Sequence, residues 1–344
     1  METAAARWHD GIAEGWAALL AGDPNATPAH RAAVLQRLVS NFPGMSLATL
    51  LIEREGRLIG GVPVITERRA GLQWLHASLA LMPGTPLAVD GLHAEVDRAC
   101  GVAIAERARR ERVVGGEWVV FRPDGPAMER VALEIPPGET RVAHTAVVDL
   151  VDGVDAAWAR IDREARRELR LALRHGLTCA EEPGALDLAH ALHVAQARGW
   201  GGHRVLPIEL SRRLLATPAA EAPAARLFTA RDGRGPLSTV LVLIGAHEWF
   251  AWWSGTHPDA RRRHAFAALL WHVAQPAAAV GARRLNVGAS AGQDAVASFK
   301  RSLGARSVPT DVRWIDGRHA PLAGRLVAAL QGRVRRGRSR GERA

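Results

Sequence analysis

Hydrophobic and polar residues alternate in two parts of the chain, in a pattern that predicts a β-hairpin in each. One hairpin turns at Glu55-Gly56 and the other at Asp232-Gly233, and in both the turn is flanked by arginines. Acidic-Gly pairs between alternating segments are typical of tight hairpin turns. The flanking strands are predicted at 46–54, 57–68, 225–230 and 236–244.

The two hairpins are followed by the same order of elements, namely a strand, a long helix and another strand. In the first copy these lie at 72–78, 93–112 and 117–121, and in the second at 248–253, 259–280 and around 285–287. A repeated order of this kind indicates a duplicated unit. The predicted fold class is therefore α/β, with α+β mixed sheets, built from two copies of one unit.

The segments outside the two copies have helical spacing. Trp8, Ile12, Trp16 and Leu19 recur at intervals of three and four, so we expect helices and loops over the first 45 residues. A second such segment, 155–175, predicts one long helix.

Five arginines in that long helix fall at helical spacing, which places most of them on one side. Glu164 and Glu168 lie on the same side, so a solvated face with internal ion pairs is one interpretation. A row of phosphate-binding side chains is the other. The arginines are Arg163, Arg166, Arg167, Arg170 and Arg174.

Residues 284–305 predict a strand, a turn of small residues from Gly288 to Gly292, and a short helix that ends at Gly304. Lys300, in this helix, is the only lysine of the chain. All the remaining residues of the 45 that are lysine or arginine are arginines. An ammonium group is a compact point charge, whereas guanidinium is a broad planar fork. Either a site that needs the compact donor has preserved a lysine here, or Lys300 is a chance survivor on a solvated helix face.

Composition limits the function classes. The 344 residues are 48% hydrophobic and 23% charged, which is typical of a globular protein large enough for two domains. No apolar run is long enough for a membrane span, and the charged N-terminal segment does not resemble a signal peptide, so we expect a cytoplasmic protein. Cys100 and Cys179 lack metal-binding spacing, and we expect no metal.

The net charge of +10 favours a polyanionic partner such as nucleic acid. The segment 332–344 alone carries six arginines and one glutamate, and so accounts for half of the excess. We expect residues 321–344 to be the end of a helix followed by a disordered basic tail.

The turn Gly288-x-Ser290, the pair Phe299-Lys300 and the pair Gly304-Ala305 follow a strand and an Ala/Leu-rich helix. This arrangement resembles the C-terminal half of the FemABX-like acyltransferases of the GNAT superfamily, over residues 154–313. The resemblance implies two tandem GNAT-like domains, at 1–150 and 151–320, and an N-acyltransferase that forms an amide bond.

The resemblance also implies roles for individual residues. Lys300 would lie near the acceptor phosphate or the tetrahedral intermediate, with Phe299 packed beside it. Arg167 and Arg170 fit a family helix pattern whose basic residues approach the acceptor's phosphates. The acyl donor would lie where two parallel strands separate, between Ser254 on one side and Gly288 and Ser290 on the other.

Three tryptophans precede this predicted split. In a regular strand Trp249 and Trp253 share one face and Trp252 lies on the other. Trp253 is therefore either a packing residue or a platform for a base or ring. The general base is left open among His257, Glu248 and Asp294, although Asp294 is placed to cap a helix.

The donor is predicted from the segment 256–265. Acetyl-CoA enzymes of the superfamily carry a glycine-bearing loop here, whereas this chain has no glycine after Gly255 and has Pro258, which lacks an N–H. Aminoacyl-tRNA is the favoured donor, with its phosphates near Arg261, Arg262 and Arg263, and acyl-CoA is the alternative. We expect no resident cofactor and a small-molecule or peptide amine as acceptor. A non-catalytic RNA-binding protein on the same scaffold is a third hypothesis.

Overall fold

The structure is a computed structural model that describes residues 4–78, 82–124, 140–199, 205–217, 221–290 and 292–315. The predicted tail, 321–344, lies outside the described residues. The chain divides into two compact units, Met1–Ala143 with Pro309–Ala344, and His144–Val308.

The first unit is an antiparallel sheet covered by a long helix. Its sheet has the order β1-β2-β3-β4, with β5 added to β3. The helix α3 packs on the sheet through Val96 and Ile104, against Leu50 and Val62. The elements are β1 (Ala5–Asp10), α1 (Trp16–Gly22), α2 (Ala32–Ser40), β2 (Met45–Arg54), β3 (Arg57–Arg69), β4 (Leu72–His76), β5 (Leu87–Ala88), α3 (His93–Arg110) and β6 (Gly116–Phe121).

The helical prediction for the first 45 residues is wrong at its start, because Ala5–Asp10 is a strand paired with β2. Gly11 and Gly15 both adopt positive φ, of 75° and 81°, which interrupts any helix between Trp8 and Trp16. The helical spacing of the apolar residues therefore spans a break in the backbone.

The second unit is built on a mixed sheet of order β7-β12-β11-β10-β9-β8. Helices α4, α5 and α8 contribute Ala157, Leu169 and Leu269 to its main core. The elements are β7 (Thr140–Asp149), α4 (Gly153–Arg160), α5 (Arg163–Arg174), β8 (Thr178–Glu181), α6 (Leu186–Ala197), α7 (Ile208–Leu215), β9 (Ala225–Asp232), β10 (Gly235–Ile244), β11 (Glu248–Thr256), α8 (Ala265–Ala279), β12 (Arg284–Ala289), α9 (Asp294–Ser302) and β13 (Arg306–Ile315).

The predicted duplication is confirmed. The order β2-β3-β4-α3-β6 in the first unit matches β9-β10-β11-α8-β12 in the second. In both, the strand before the helix and the strand after it meet in parallel, through the Trp74–Gly115 bridge and the β11–β12 ladder. The fold class is therefore α/β with mixed sheets, built from two units that share one order of elements.

The last strand alters the division of the chain. From Thr310 to Ile315, β13 pairs antiparallel with β6. Residues from Pro309 onward consequently belong with the first unit, whereas the sequence placed 309–320 in the second.

Two helices also differ from the prediction. The single helix expected at 155–175 is broken, because Ile161 is extended and buried and the N–H of Asp162 bonds the carbonyl of Ser302. Helix α8 begins at Ala265 rather than at 259, since His264 adopts a left-handed conformation with φ of 51°.

A bulge in β11 reverses the predicted orientation of its tryptophans. Leu241 pairs with Trp253 and Val242 with Ala251, so Trp252 is an extra residue. Beyond this point the alternation of side chains switches face. Trp249 therefore lies in the core with α8, while Trp253 contacts α6 and α7, and the expectation that both share one face is wrong.

Candidate active site

Lys300 is held inside the second unit rather than on its surface. The residue is 8% exposed, and its Nζ donates hydrogen bonds of 2.8 Å to the backbone carbonyls of Gly288 and Ala289. Burial lowers the pKa of Lys300 to about 8. The ammonium is therefore charged at neutral pH but loses its proton far more easily than an exposed lysine.

The turn that receives Lys300 has a fixed shape. Gly288 has φ of 75°, a left-handed conformation that other residues rarely adopt. Its N–H donates to Oδ1 of Asn286 at 2.8 Å, so the end of β12 is tied to its own preceding residue. Both carbonyls that face Lys300 belong to this turn.

The far end of α9 is fixed as well. Gly304 follows the helix with φ of 77°, and a Cβ there would come within 3.0–3.2 Å of Arg160. The N–H of Ala305 bonds the carbonyl of Lys300, which closes the last turn. The Gly304-Ala305 pair therefore sets the position of the helix that carries the lysine.

Phe299 anchors α9 to α8. Its ring lies nearly parallel to that of Phe266, with 6.0 Å between centroids and 19° between planes, and it packs against the main core. The contact explains why an aromatic residue precedes Lys300. Its predicted catalytic role stays a prediction.

The parallel ladder between β11 and β12 is short. It covers three residue pairs and ends at Phe250–Asn286, although β11 continues to Thr256. The ladder thus ends where the sequence placed the split between the strands, and Gly288 follows two residues beyond the last pair.

A buried ion pair lies at the base of this ladder. Glu248 and Arg284 are both 0% exposed, and Arg284 Nε donates to Glu248 Oε2 at 2.7 Å. Asn286 Nδ2 donates to the other carboxylate oxygen at 3.2 Å. Glu248 is therefore buried, and both of its carboxylate oxygens accept hydrogen bonds from these partners. This argues against Glu248 as the general base.

The other two candidate bases lie at the surface. His257 Nδ1 accepts the N–H of Asp259 and caps the short 3₁₀ turn Pro258–Ala260. Asp294 lies in the first turn of α9, where a carboxylate favours the helix dipole, but Gln293 occupies the capping position. The predicted cap at Asp294 is therefore wrong by one residue.

Trp253 and Ser254 lie on the α6 side of β11. Trp253 Nε1 donates to Ser211 Oγ at 3.3 Å, and its ring is 5.0 Å from that of His193. His193 Nδ1 lies 2.8 Å from the carbonyl oxygen of Ser254. These contacts favour the interpretation of Trp253 as a packing residue.

Ser290 begins the link from the turn to α9. Its carbonyl accepts the N–H of Gln293 at 2.9 Å, one residue before the helix starts. The structure therefore brings Gly288, Ser290 and Lys300 together in one strand-turn-helix segment.

The two arginines predicted to bind acceptor phosphates lie on the exposed side of α5. Arg167 is clasped by Glu164 through its Nε and Nη2 atoms, at 2.5–3.1 Å. Arg170 lies over the ring of Trp158, 5.4 Å from its centroid. The first arginine is partly neutralised, and the second is positioned by an aromatic ring.

The three arginines before α8 differ in their partners. Arg262 pairs with Asp259, and Arg263 Nη1 lies 3.2 Å from Asp232 Oδ2, in the tip of the β9–β10 hairpin. Arg261 is exposed. An open cavity of about 490 Å³ lies between the hairpin tip and this segment. Carboxylates therefore already occupy part of the basic surface predicted for donor phosphates.

The second unit matches a known protein family by sequence. Residues 159–301 match the acetyltransferase (GNAT) domain family, and they lie within the second unit. The second unit is therefore similar to an acetyltransferase (GNAT) domain. No protein of curated function matches the chain by sequence.

Solved structures agree with the GNAT domain at the level of the fold. FemX is 12% identical, with a TM-score of 0.65 over 89% of this chain and 96% of its own. The C-terminal domain of a putative lysylphosphatidylglycerol synthetase from Agrobacterium fabrum is 14% identical, with a TM-score of 0.53 over 92% and 94%. N-myristoyltransferase of Saccharomyces cerevisiae, solved with myristoyl-CoA, is 10% identical, with a TM-score of 0.51 over 92% and 83%. The predicted resemblance to FemABX-like GNAT acyltransferases is confirmed as a resemblance of fold.

Two kinds of feature are absent from the described part of the chain. None of its helices combines the length and apolarity that crossing a bilayer requires. Within the same residues, no three His, Cys, Asp or Glu side chains converge as metal ligands would.

Proposed function

We propose that this protein is an N-acyltransferase that moves an aminoacyl group from aminoacyl-tRNA to an amine acceptor, with Lys300 stabilising the negative charge that develops. The observation that carries the proposal is the buried ammonium of Lys300 at the Gly288–Ala289 turn, next to the end of the β11–β12 ladder. Two of its three N–H groups go to carbonyls, which leaves one donor for a substrate oxygen.

The reaction is an attack of a neutral amine on the ester carbonyl of the donor. A C–N bond forms, the ester C–O bond breaks, and the terminal hydroxyl of the RNA leaves. The proton that the amine gives up equals the one that the leaving oxygen takes up, so no net proton is consumed. The carbonyl oxygen bears negative charge in between, and a positioned donor at such a charge lowers the barrier by about 3–4 kcal/mol.

The segment before α8 supports aminoacyl-tRNA over acyl-CoA. A pyrophosphate-binding loop presents successive backbone N–H groups at a helix N-terminus. Here Pro258 lacks an N–H, the His257 side chain takes the N–H of Asp259, and the carboxylates of Asp259 and Asp232 pair with Arg262 and Arg263. An RNA donor needs no such loop, and the net charge of +10 suits it.

An acyl-CoA-dependent N-acetyltransferase is the second candidate. The acetyltransferase (GNAT) family that residues 159–301 match favours it. Arg261 remains exposed beside α8 and would then meet the phosphates of the cofactor-like donor through its side chain.

The acceptor is proposed to be a small-molecule or peptide amine that carries phosphate. Arg170 is the better candidate for a phosphate contact, since Arg167 is bound bidentately by Glu164. A guanidinium stacked on Trp158 keeps its outward N–H groups available for a planar anion.

The test is to incubate the protein separately with aminoacyl-tRNA carrying a labelled amino acid and with labelled acetyl-CoA, each with a surrogate amine. We expect amide formation, or faster donor hydrolysis, with the aminoacyl-tRNA and not with acetyl-CoA. Transfer from acetyl-CoA alone would establish the second candidate. Binding of tRNA without any turnover of either donor would favour a non-catalytic RNA-binding protein.

Salt dependence locates the RNA contacts. Each phosphate contact contributes about 0.9 to the slope of log K against log salt on a duplex. Removal of residues 331–344 is expected to reduce the slope but not abolish it. Arg261→Ala in that shortened protein should reduce it by a further increment of about 0.9, whereas an unchanged slope would remove Arg261 from the interface.

A further inference from the structure

A line of buried polar side chains runs along β12 beneath the Lys300 turn. Arg284 Nε donates to Glu248 Oε2 at 2.7 Å, and Asn286 Nδ2 donates to Glu248 Oε1 at 3.2 Å. These three residues are at most 1% exposed. Burying these charged and amide side chains costs free energy of folding, because each group loses its hydration.

Asn286 connects this line to the turn. Its Oδ1 accepts the N–H of Gly288 at 2.8 Å, and the carbonyl of Gly288 accepts a hydrogen bond from Lys300 Nζ at 2.8 Å. The two peptide units that flank the Cα of Gly288 are thus each held by a hydrogen bond. A rotation of this turn would move both carbonyls that hold the ammonium.

Glu248 determines which way the amide of Asn286 faces. An ionised carboxylate only accepts hydrogen bonds, so the amide must present its NH₂ group to Glu248. Its oxygen is then the atom left to face the N–H of Gly288. Arg284 donates to the other oxygen of the same carboxylate, so each Glu248 oxygen accepts a hydrogen bond in this fully buried site.

We propose that Asn286 is a positioning residue for Lys300, and that Glu248 and Arg284 act through it by fixing the orientation of its amide. The inference rests on the proposed function only for its catalytic meaning. Its structural content, that the environment of Lys300 depends on the Asn286 side chain, is measurable without any substrate.

The sequence supplies an unusually clean probe for this measurement. Because Lys300 is the only lysine, protein labelled with lysine carrying ¹³C at Cε gives one NMR signal from that position. The titration of this signal reports the pKa of Lys300 directly in the intact chain.

The test compares Asn286→Ala with Asn286→Ser. The two replacements are close in size, but only the serine hydroxyl accepts an N–H two residues ahead. In Asn286→Ala the turn is expected to loosen and admit water, so the pKa of Lys300 should rise by about one unit or more. In Asn286→Ser it should stay near that of the wild-type protein.

A matched control comes from the first unit. Asn25 is also 1% exposed, donates to Asp23 Oδ1 at 3.0 Å and accepts the N–H of Asp124 at 3.2 Å. Asn25→Ala therefore removes a comparable buried amide, and it is expected to leave the Lys300 titration unchanged.

The inference is overturned if folded Asn286→Ala and Asn286→Ser titrate alike, or if Asn25→Ala shifts the signal as much as Asn286→Ala. Should Asn286→Ala fail to fold, Glu248→Gln carries the test, since a glutamine no longer imposes one orientation on the amide. A wild-type Lys300 titration in Glu248→Gln would then contradict the proposal. Because none of these readouts needs a donor, the inference and the proposed function can fail independently.

Discussion

The Nζ atom of Lys300 and the carbonyl oxygen of Gly288 are 2.8 Å apart, although the residues are separated by twelve positions in the sequence. This contact joins the end of a central strand to the helix that follows it. Since the carbonyl of Ala289 accepts a second bond of the same length, two backbone dipoles hold one ammonium. The arrangement explains why a chain that otherwise uses arginine retains a lysine here.

Replacement of Lys300 by arginine tests that explanation. Guanidinium is planar and broader, so it cannot approach both carbonyls in a site that is only 8% exposed. Lys300→Arg is expected to reduce the transfer rate about a hundredfold, since a misplaced donor no longer meets the developing charge. Steady-state transfer with circular dichroism as a folding check measures this. Wild-type activity in Lys300→Arg would show that charge alone suffices.

The rate of transfer should depend on pH through Lys300. Burial lowers the pKa of this group to about 8, and only its charged form stabilises the oxyanion. With a weakly basic acceptor that stays neutral throughout, the rate is expected to be flat below pH 8 and to fall above it. A rate that instead rises through pH 8 would indicate that neutral Lys300 acts as a base.

Folding stability should depend on pH in the opposite sense. Between about pH 8 and 10.5 the unfolded chain keeps a proton on Lys300 that the folded chain has lost. Stability contributed by this group therefore rises with pH in that window, by on the order of 3 kcal/mol. Urea unfolding of wild type and Lys300→Met at both ends of the window measures it. An equal pH response in the two proteins would contradict the shifted pKa.

The Glu248–Arg284 pair should dominate the local stability of the second unit. Both residues are fully buried, so Arg284→Leu leaves an unpaired carboxylate and is expected to cost about 3–5 kcal/mol. Glu164→Ala, which breaks an exposed pair with Arg167, should cost far less, because solvent screens that pair. Denaturant midpoints give both values, and similar losses would mean that burial does not set the cost.

Local patterns predicted the parts of the fold that depend on neighbouring residues. The hairpins at Gly56 and Gly233 and the strand-turn-helix at Lys300 were visible because alternation, glycine and helical spacing are short-range signals. The face of Trp253 was not, because it depends on one extra residue in β11 relative to its partner strand. The break at Ile161 was missed for a similar reason, since its cause is a hydrogen bond to the distant Ser302.

Part of the candidate active site could be predicted from the sequence for the same physical reasons. Lys300 was identified because it is the only lysine, which is a property of the sequence itself. The link through Asn286 and Glu248 was missed, since it requires the parallel register of two strands far apart in the chain. Arg263 looked available for phosphate because its partner, Asp232, comes from a hairpin tip remote in sequence.

The role of Lys300 in transfer is tested most directly by single-turnover kinetics. The reaction is transfer from labelled aminoacyl-tRNA to an amine by the wild-type, Lys300→Met and Arg301→Met proteins. Arg301 is the exposed neighbour on the same helix and serves as the control. We predict that Lys300→Met folds but loses transfer by about 10²–10³-fold, while Arg301→Met transfers at close to the wild-type rate. Lys300→Met activity within a few-fold of the wild type would remove Lys300 from the mechanism and contradict the account.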